Sequence, residues 1–173
     1  MRSIPELINS VVDQIIEAHQ PLTSVCLIGI QTKGFCICQR IQKKIIKKTN
    51  FSIPIGSIEP ELFKQHRQED NYITLNPANI PFNIDQKIVI LIDTQITTGD
   101  TMKASLIHIS DVGAPKKIEV ATLVNNKSKR LYPIYASYFG EDTNLKQDLF
   151  FSLLEIDGED NIETLNTQNN IYH

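Results

Sequence analysis

Asp93 ends an apolar run, Ile88-Val89-Ile90-Leu91-Ile92, and the residues after it include Thr94, Thr97, Thr98, Gly99, Asp100 and Thr101. These residue types can hold a sugar phosphate. Threonine hydroxyls donate to phosphate oxygens, glycine lets backbone N–H groups approach an anion with no Cβ in the way, and a carboxylate accepts from sugar hydroxyls. A loop that joins the carboxyl end of a strand to a helix adds unpaired N–H groups and the positive end of the helix dipole. A threonine–glycine–threonine turn also serves as a plain helix start, so spacing alone leaves both readings open. A second candidate turn, Gln31-Thr32-Lys33-Gly34, follows another apolar run, Ser24 to Ile30, and carries a lysine.

Other reactive side chains point to less chemistry. The cysteine count is odd, at three, and Cys26 sits inside an apolar run, which fits a reduced compartment better than a disulfide framework. Cys36 and Cys38 stand two apart on a predicted helix, where side chains face nearly opposite ways and cannot share one ligand. His19, His66, His108 and His173 show no metal-ligand spacing and are expected at the surface, His108 lying off the apolar face of its helix. Two basic clusters, Lys43, Lys44, Lys47 and Lys48, and Lys127, Lys129 and Arg130, read as solvated faces.

The elements that must position the two turns follow from periodicity. Ser3 and Glu6 have capping-box spacing, and Leu7, Ile8, Val11, Val12, Ile15 and Ile16 recur at the helical period, so the chain opens with an amphipathic helix. Ser24 to Ile30 is a strand apolar on both faces, as in the middle of a parallel sheet. Phe35, Cys38, Ile41 and Ile45 predict a second helix reaching about Lys48, and Phe51 to Ile58 another strand. Residues 59–82 hold three prolines and no sustained period, which predicts a mobile flap. Lys87 to Asp93 is a buried strand, followed by a loop through Thr101 and a helix with Met102, Leu106 and Ile109 inward, capped by Gly113. Further strands are predicted over Ile118 to Val124, Ile134 to Phe139 and Leu149 to Leu154. Strands alternating with helices give an α/β class, a mostly parallel sheet covered on both faces.

The chain has 173 residues, 41% hydrophobic and 21% charged, which suits one folded domain over residues 1–173 with a loose tail at 166–173. A net charge of −3 argues against a surface given over to nucleic acid. Neither a secretory h-region nor a run of roughly 18 apolar residues is present, so a cytoplasmic protein with no membrane partner is expected.

Ile90-Leu91-Ile92-Asp93 with Thr98-Gly99-Asp100-Thr101 resembles the 5-phosphoribosyl diphosphate (PRPP) motif of type I phosphoribosyltransferases, and Ile28 to Gly34 resembles their diphosphate loop. The resemblance narrows to the pyrimidine operon attenuator / uracil phosphoribosyltransferase family, in order from about Ser24 to Leu165. It is carried also by Ile80 to Lys87, Asp111-Val112-Gly113-Ala114-Pro115, Tyr138-Phe139-Gly140 and Leu154-Glu155-Ile156-Asp157. The resemblance implies the type I phosphoribosyltransferase fold with a flexible flap or hood, a cleft for PRPP or a nucleoside monophosphate such as UMP, and transfer of the ribosyl group to uracil. It implies Mg²⁺ accompanying PRPP without direct protein ligation, an RNA partner, and a homo-oligomer. Residue by residue, Asp93 holds ribose hydroxyls, with Thr94 beside it; Thr97, Thr98, Gly99, Asp100 and Thr101 form the 5-phosphate loop; Thr32, Lys33 and Gly34 face the diphosphate. Asp93 and Lys33 are then the catalytic candidates.

Departures from the family pattern are specific. Thr94 stands where the family has a second acid, and Asp100 where it commonly has arginine. Asn125-Asn126-Lys127-Ser128 replaces an acidic–arginine–glycine–histidine run, leaving Asn125 and Asn126 as the base region, and Pro60 interrupts a strand-like family segment. Asp100 would repel a phosphate unless its side chain turns to solvent. Three functions stay open: a phosphoribosyltransferase, a catalytically reduced nucleotide-sensing regulator, and a scaffold-only paralogue.

Overall fold

The computed structural model describes residues 1–60 and 78–165. Most of the expected flap and the whole expected tail lie outside them, as do His66 and His173. Helix α1 (Ile4–Ala18) begins where Glu6 folds back, its carboxylate accepting from the Ser3 N–H at 2.8 Å and the Ser3 hydroxyl at 2.6 Å. Ile4, Leu7, Ile8, Val11, Val12 and Ile15 bury one face of it.

Strand β1 (Val25–Ile30) is buried throughout, and α2 (Lys33–Thr49) follows almost at once. Strands β2 (Ile55–Ile58), β3 (Ala78–Asn79), β4 (Ile88–Ile96), β5 (Lys117–Asn126) and β6 (Tyr138–Thr143) complete a six-stranded sheet of order β3-β2-β1-β4-β5-β6. All pairings are parallel except β2 with β3 at the edge. Helix α3 (Asp100–Val112) links β4 to β5. Alternation along the strands sorts the core into two layers. Leu27, Ile90, Ile92, Ala121 and Leu123 pack with α1 and α2, whereas Cys26, Ile28, Val89, Leu91 and Val120 pack with Met102 and Ile109 of α3.

Several elements differ from the sequence expectation. Strand β4 runs past Asp93 to Ile96, because Gln95 and Ile96 find partners in Val124 and Asn125 of β5. Lys33 and Gly34 belong to the first turn of α2 and leave a shorter connection after β1. Strand β6 starts at Tyr138, since Pro133 lacks an N–H and the Ile134 carbonyl is taken by Arg130. The last predicted strand does not join the sheet: β7 (Asp148–Ser152) pairs antiparallel with β8 (Asn161–Leu165), with the short helix α4 (Leu154–Asp157) between them. No helix among the described residues is long and apolar enough to cross a membrane.

Two histidines expected at the surface are buried or bonded. His108 is 3% exposed because Met102, Ser105 and Ile109 set an inward face wide enough to include it, and burial holds its pKa below the usual value. His19 Nε2 lies 2.7 Å from Glu119 Oε2 and 2.8 Å from the Tyr138 hydroxyl, tying the end of α1 to β5 and β6. Cys26 and Cys38 are buried and Cys36 is partly so; burial pushes the Cys26 thiol up to about 11.

Candidate functional site

The carboxyl ends of β1 and β4 bring the two candidate turns together. Gly34 makes the junction: a Cβ there would lie 2.6 Å from the Ile92 carbonyl oxygen and 3.3 Å from Asp93 Oδ1. The first turn of α2 therefore presses directly on the Asp93 segment, an approach only glycine allows.

Asp93 is half-buried, and its Oδ1 accepts from the Thr94 N–H at 2.7 Å. Burial pushes its carboxyl up to about 7, against the opposing pull of the Thr94 backbone and side-chain bonds. Thr94 is itself 7% exposed, its side chain turned inward beside Asp93. Gln95, which sequence reasoning passed over, donates from Nε2 to the Leu149 carbonyl at 2.9 Å and so ties β4 to β7. Its Oε1 is buried with no hydrogen-bond partner among the described residues.

Beyond β4 the chain curls round a small hollow lined by Gln95 to Met102 in unbroken sequence. Gly99 makes the curl possible with φ of 94°, a left-handed conformation that costs other residues strain. It also stands at the N-cap of α3, so the hollow opens against the helix N-terminus. Thr97, Thr98 and Thr101 are half-buried along it. Asp100 is exposed, and its Oδ2 accepts from the Thr98 hydroxyl at 2.8 Å. That bond occupies the one Thr98 proton that a phosphate oxygen would otherwise receive.

Lys33 turns to the β7–β8 hairpin. Its ammonium donates to the Phe151 carbonyl, lies 3.2 Å from Asp157 Oδ2 and sits 4.2 Å from the centre of the Phe150 ring. Thr32 remains exposed at the entrance to α2.

Asn125 and Asn126 stand at the carboxyl end of β5, buried at 4% and 0% exposure. Their amides are engaged internally. Asn125 Nδ2 donates to Asp142 at 2.8 Å while its Oδ1 accepts from Arg130 at 2.8 Å, and Asn126 Nδ2 donates to the Leu145 carbonyl at 2.9 Å. The structure thus gives them the work of shaping the loop after β5.

Arg130 is the residue whose place the sequence concealed. Expected on a solvated face, its guanidinium is folded among the carbonyls of Ile96, Thr97, Asn126 and Ile134 and Asn125 Oδ1. A lone arginine in a basic cluster carries no periodic signal of such a position. Lys127 and Lys129 meet the other part of the expectation, on the surface and paired with Asp142 and Asp148.

A family model described as Phosphoribosyl transferase domain matches residues 2–157. The Bifunctional protein PyrR of Clostridioides difficile is 35% identical over 167 residues, covering 93% of this chain and 92% of its own length. The Bifunctional protein PyrR of Elusimicrobium minutum is 36% identical over 160 residues, covering 91% and 88%. Among solved structures, the hypoxanthine phosphoribosyltransferase of Trypanosoma cruzi aligns with a TM-score of 0.62 over 85% of this chain and 82% of its own, at 13% identity.

Proposed function

Since this chain belongs to the phosphoribosyl transferase domain family and has its α/β fold, we propose that it binds the 5-phosphoribosyl group of PRPP or UMP between Asp93 and the 97–101 turn and transfers it to uracil. One observation carries this reading: the hollow against the α3 N-terminus and the Gly34–Asp93 contact stand at one end of the sheet. In that pose the turn receives the 5-phosphate, Asp93 accepts from ribose hydroxyls, and the N-terminus of α2 lies toward the diphosphate. Uracil N1 then bonds to ribose C1 as the C1–O bond to diphosphate breaks, diphosphate leaves with that electron pair, and the N1 proton passes to solvent.

Mg²⁺ would enter on the diphosphate. Among the described residues no cluster of His, Cys, Asp or Glu is arranged to hold a metal by itself, and a ligand-borne ion needs none. When bound, the ion neutralises charge developing on the departing diphosphate. Asp93 would accept hydrogen bonds from the ion's water shell.

A second reading, a nucleotide sensor with reduced chemistry, is favoured by the ties of Lys33 to Phe151 and Asp157 and by the buried hydroxyl at Thr94. RNA binding and assembly of several copies belong to that reading as proposals. Incubation with PRPP, Mg²⁺ and uracil, followed by chromatography, is expected to yield UMP. No UMP, together with a rise in melting temperature on adding UMP, would select the sensor; no product and no shift with UMP or PRPP would reject both.

A further inference from the structure

Two successive carbonyls of the 97–101 turn point toward one segment of the chain. Arg130 Nε donates to the Thr97 carbonyl at 2.9 Å, and the Leu131 and Tyr132 N–H groups reach the Thr98 carbonyl at 3.0 and 3.4 Å. In a trans peptide the C=O of one residue and the N–H of the next point in opposite directions. Fixing these carbonyls therefore turns the N–H groups of Thr98 and Gly99 away from residues 130–132. Those residues do not line the hollow, whereas Thr98 and Gly99 do. Among the described residues neither of the two N–H groups donates elsewhere.

We propose that Arg130 is a positioning residue that holds this turn, without touching the ligand, in the shape of a preset anion nest. Its own position is fixed by Asn125 Oδ1 at 2.8 Å and the Asn126 carbonyl at 3.2 Å, so it cannot reach into the cleft without breaking those bonds. It acts through the turn, by orienting donors that would otherwise have to be ordered when the ligand arrives. This explains why an arginine among lysines is spent on carbonyls: only a planar fork of five N–H donors serves them together. The inference rests on the cleft being the 5-phosphate site.

The test uses the full chain, labelled with ¹⁵N, titrated separately with inorganic phosphate and with UMP. In the wild type both ligands should move the Thr98 and Gly99 amide resonances downfield. In Arg130→Gln the two affinities should fall about tenfold or more while the remainder of the spectrum stays that of the folded protein. Arg130→Lys, which keeps the charge but not the fork, should fall between, and it carries the test if the glutamine variant does not fold. Phosphate that moves these amides in an Arg130-dependent way while UMP does not bind would leave the nest standing and remove the nucleotide reading. Neither ligand moving them, or affinities within about twofold of wild type in the variants, overturns the proposal.

Discussion

At Asp93 burial of the carboxyl burdens the folded protein. Its carboxyl is lifted from 3.8 to about 7, so the folded state holds this proton at pH values where the unfolded chain has released it. Stability from this group therefore falls as pH climbs between about 4 and 7 and levels above that. Asp93→Asn should match wild type near pH 4 in urea denaturation and exceed it by on the order of 2 kcal/mol at pH 8, a figure reduced for the solvent-facing side of the carboxyl. The same substitution should weaken UMP by about tenfold, since an acceptor for ribose hydroxyls is lost. Equal stability across that pH range would mean that the carboxyl is better hydrated than its position implies. Asp100 tests the opposite end of the ligand. It is exposed, belongs to the lining of the hollow and detains the Thr98 hydroxyl at 2.8 Å, so Asp100→Arg both removes a like charge and frees a donor. UMP should bind about tenfold tighter, and the gain should shrink between roughly 50 and 500 mM salt, as expected for an exposed charge. Calorimetric affinities unchanged at both salt levels would place the phosphate elsewhere.

Elements hold these side chains through contacts far from the cleft, and the bonded group at the other end of β5 is the clearest case. Burial pushes Glu119 up, but bonds from Lys117, Tyr138 and His19 outweigh it and leave its carboxyl below the usual range. A lowered folded pKa gives stability that is present above the unfolded value and lost as pH falls through the folded one. Tyr138→Phe removes the 2.7 Å donor to Glu119 and should cost about 1.5–3 kcal/mol at pH 7. Its deficit should narrow below about pH 4 as Glu119 is protonated. A deficit that does not change with pH would mean that the phenol acts by packing alone. None of this was legible beforehand, because His19, Glu119 and Tyr138 come from three elements and share no spacing. What periodicity does convey is visible in α1, β1 and β4, whose apolar residues lie where the pattern put them. The extension of β4 to Ile96 was hidden for a physical reason. Gln95 is a polar residue paired to β5 through its backbone, and pattern reading sees only side chains.

Over the whole molecule, the two turns and Asp93 could be named from sequence because each lies within a single strand–turn–helix unit, but the hairpin that closes on them could not. It reaches them from the far end of the chain. Arg40 on α2 holds Glu155 at 2.9 Å and Asp160 at 2.7 Å, while Lys33 one helix end away holds Asp157 and the Phe151 carbonyl. Leu149, Phe151 and Leu153 are buried in the α1–α2 layer, so the hairpin is docked by an apolar edge and clamped by charge. The clamp and the lysine are thus linked through the hairpin: loosening one weakens the hold on the other. Arg40→Met keeps the apolar stem but removes the fork, and a charge network of this exposure contributes about 1–2 kcal/mol. Amide exchange at Phe150 and Glu163, which face each other across the hairpin, should then quicken by about tenfold, while Ile90 and Leu91 in the central strand stay as slow as in wild type. With Lys33 released, affinity for PRPP with Mg²⁺ should rise and affinity for UMP, which has no diphosphate, should stay within about twofold. A parallel change for both ligands would show that Lys33 never meets the diphosphate, leaving it a fastener of the hairpin alone.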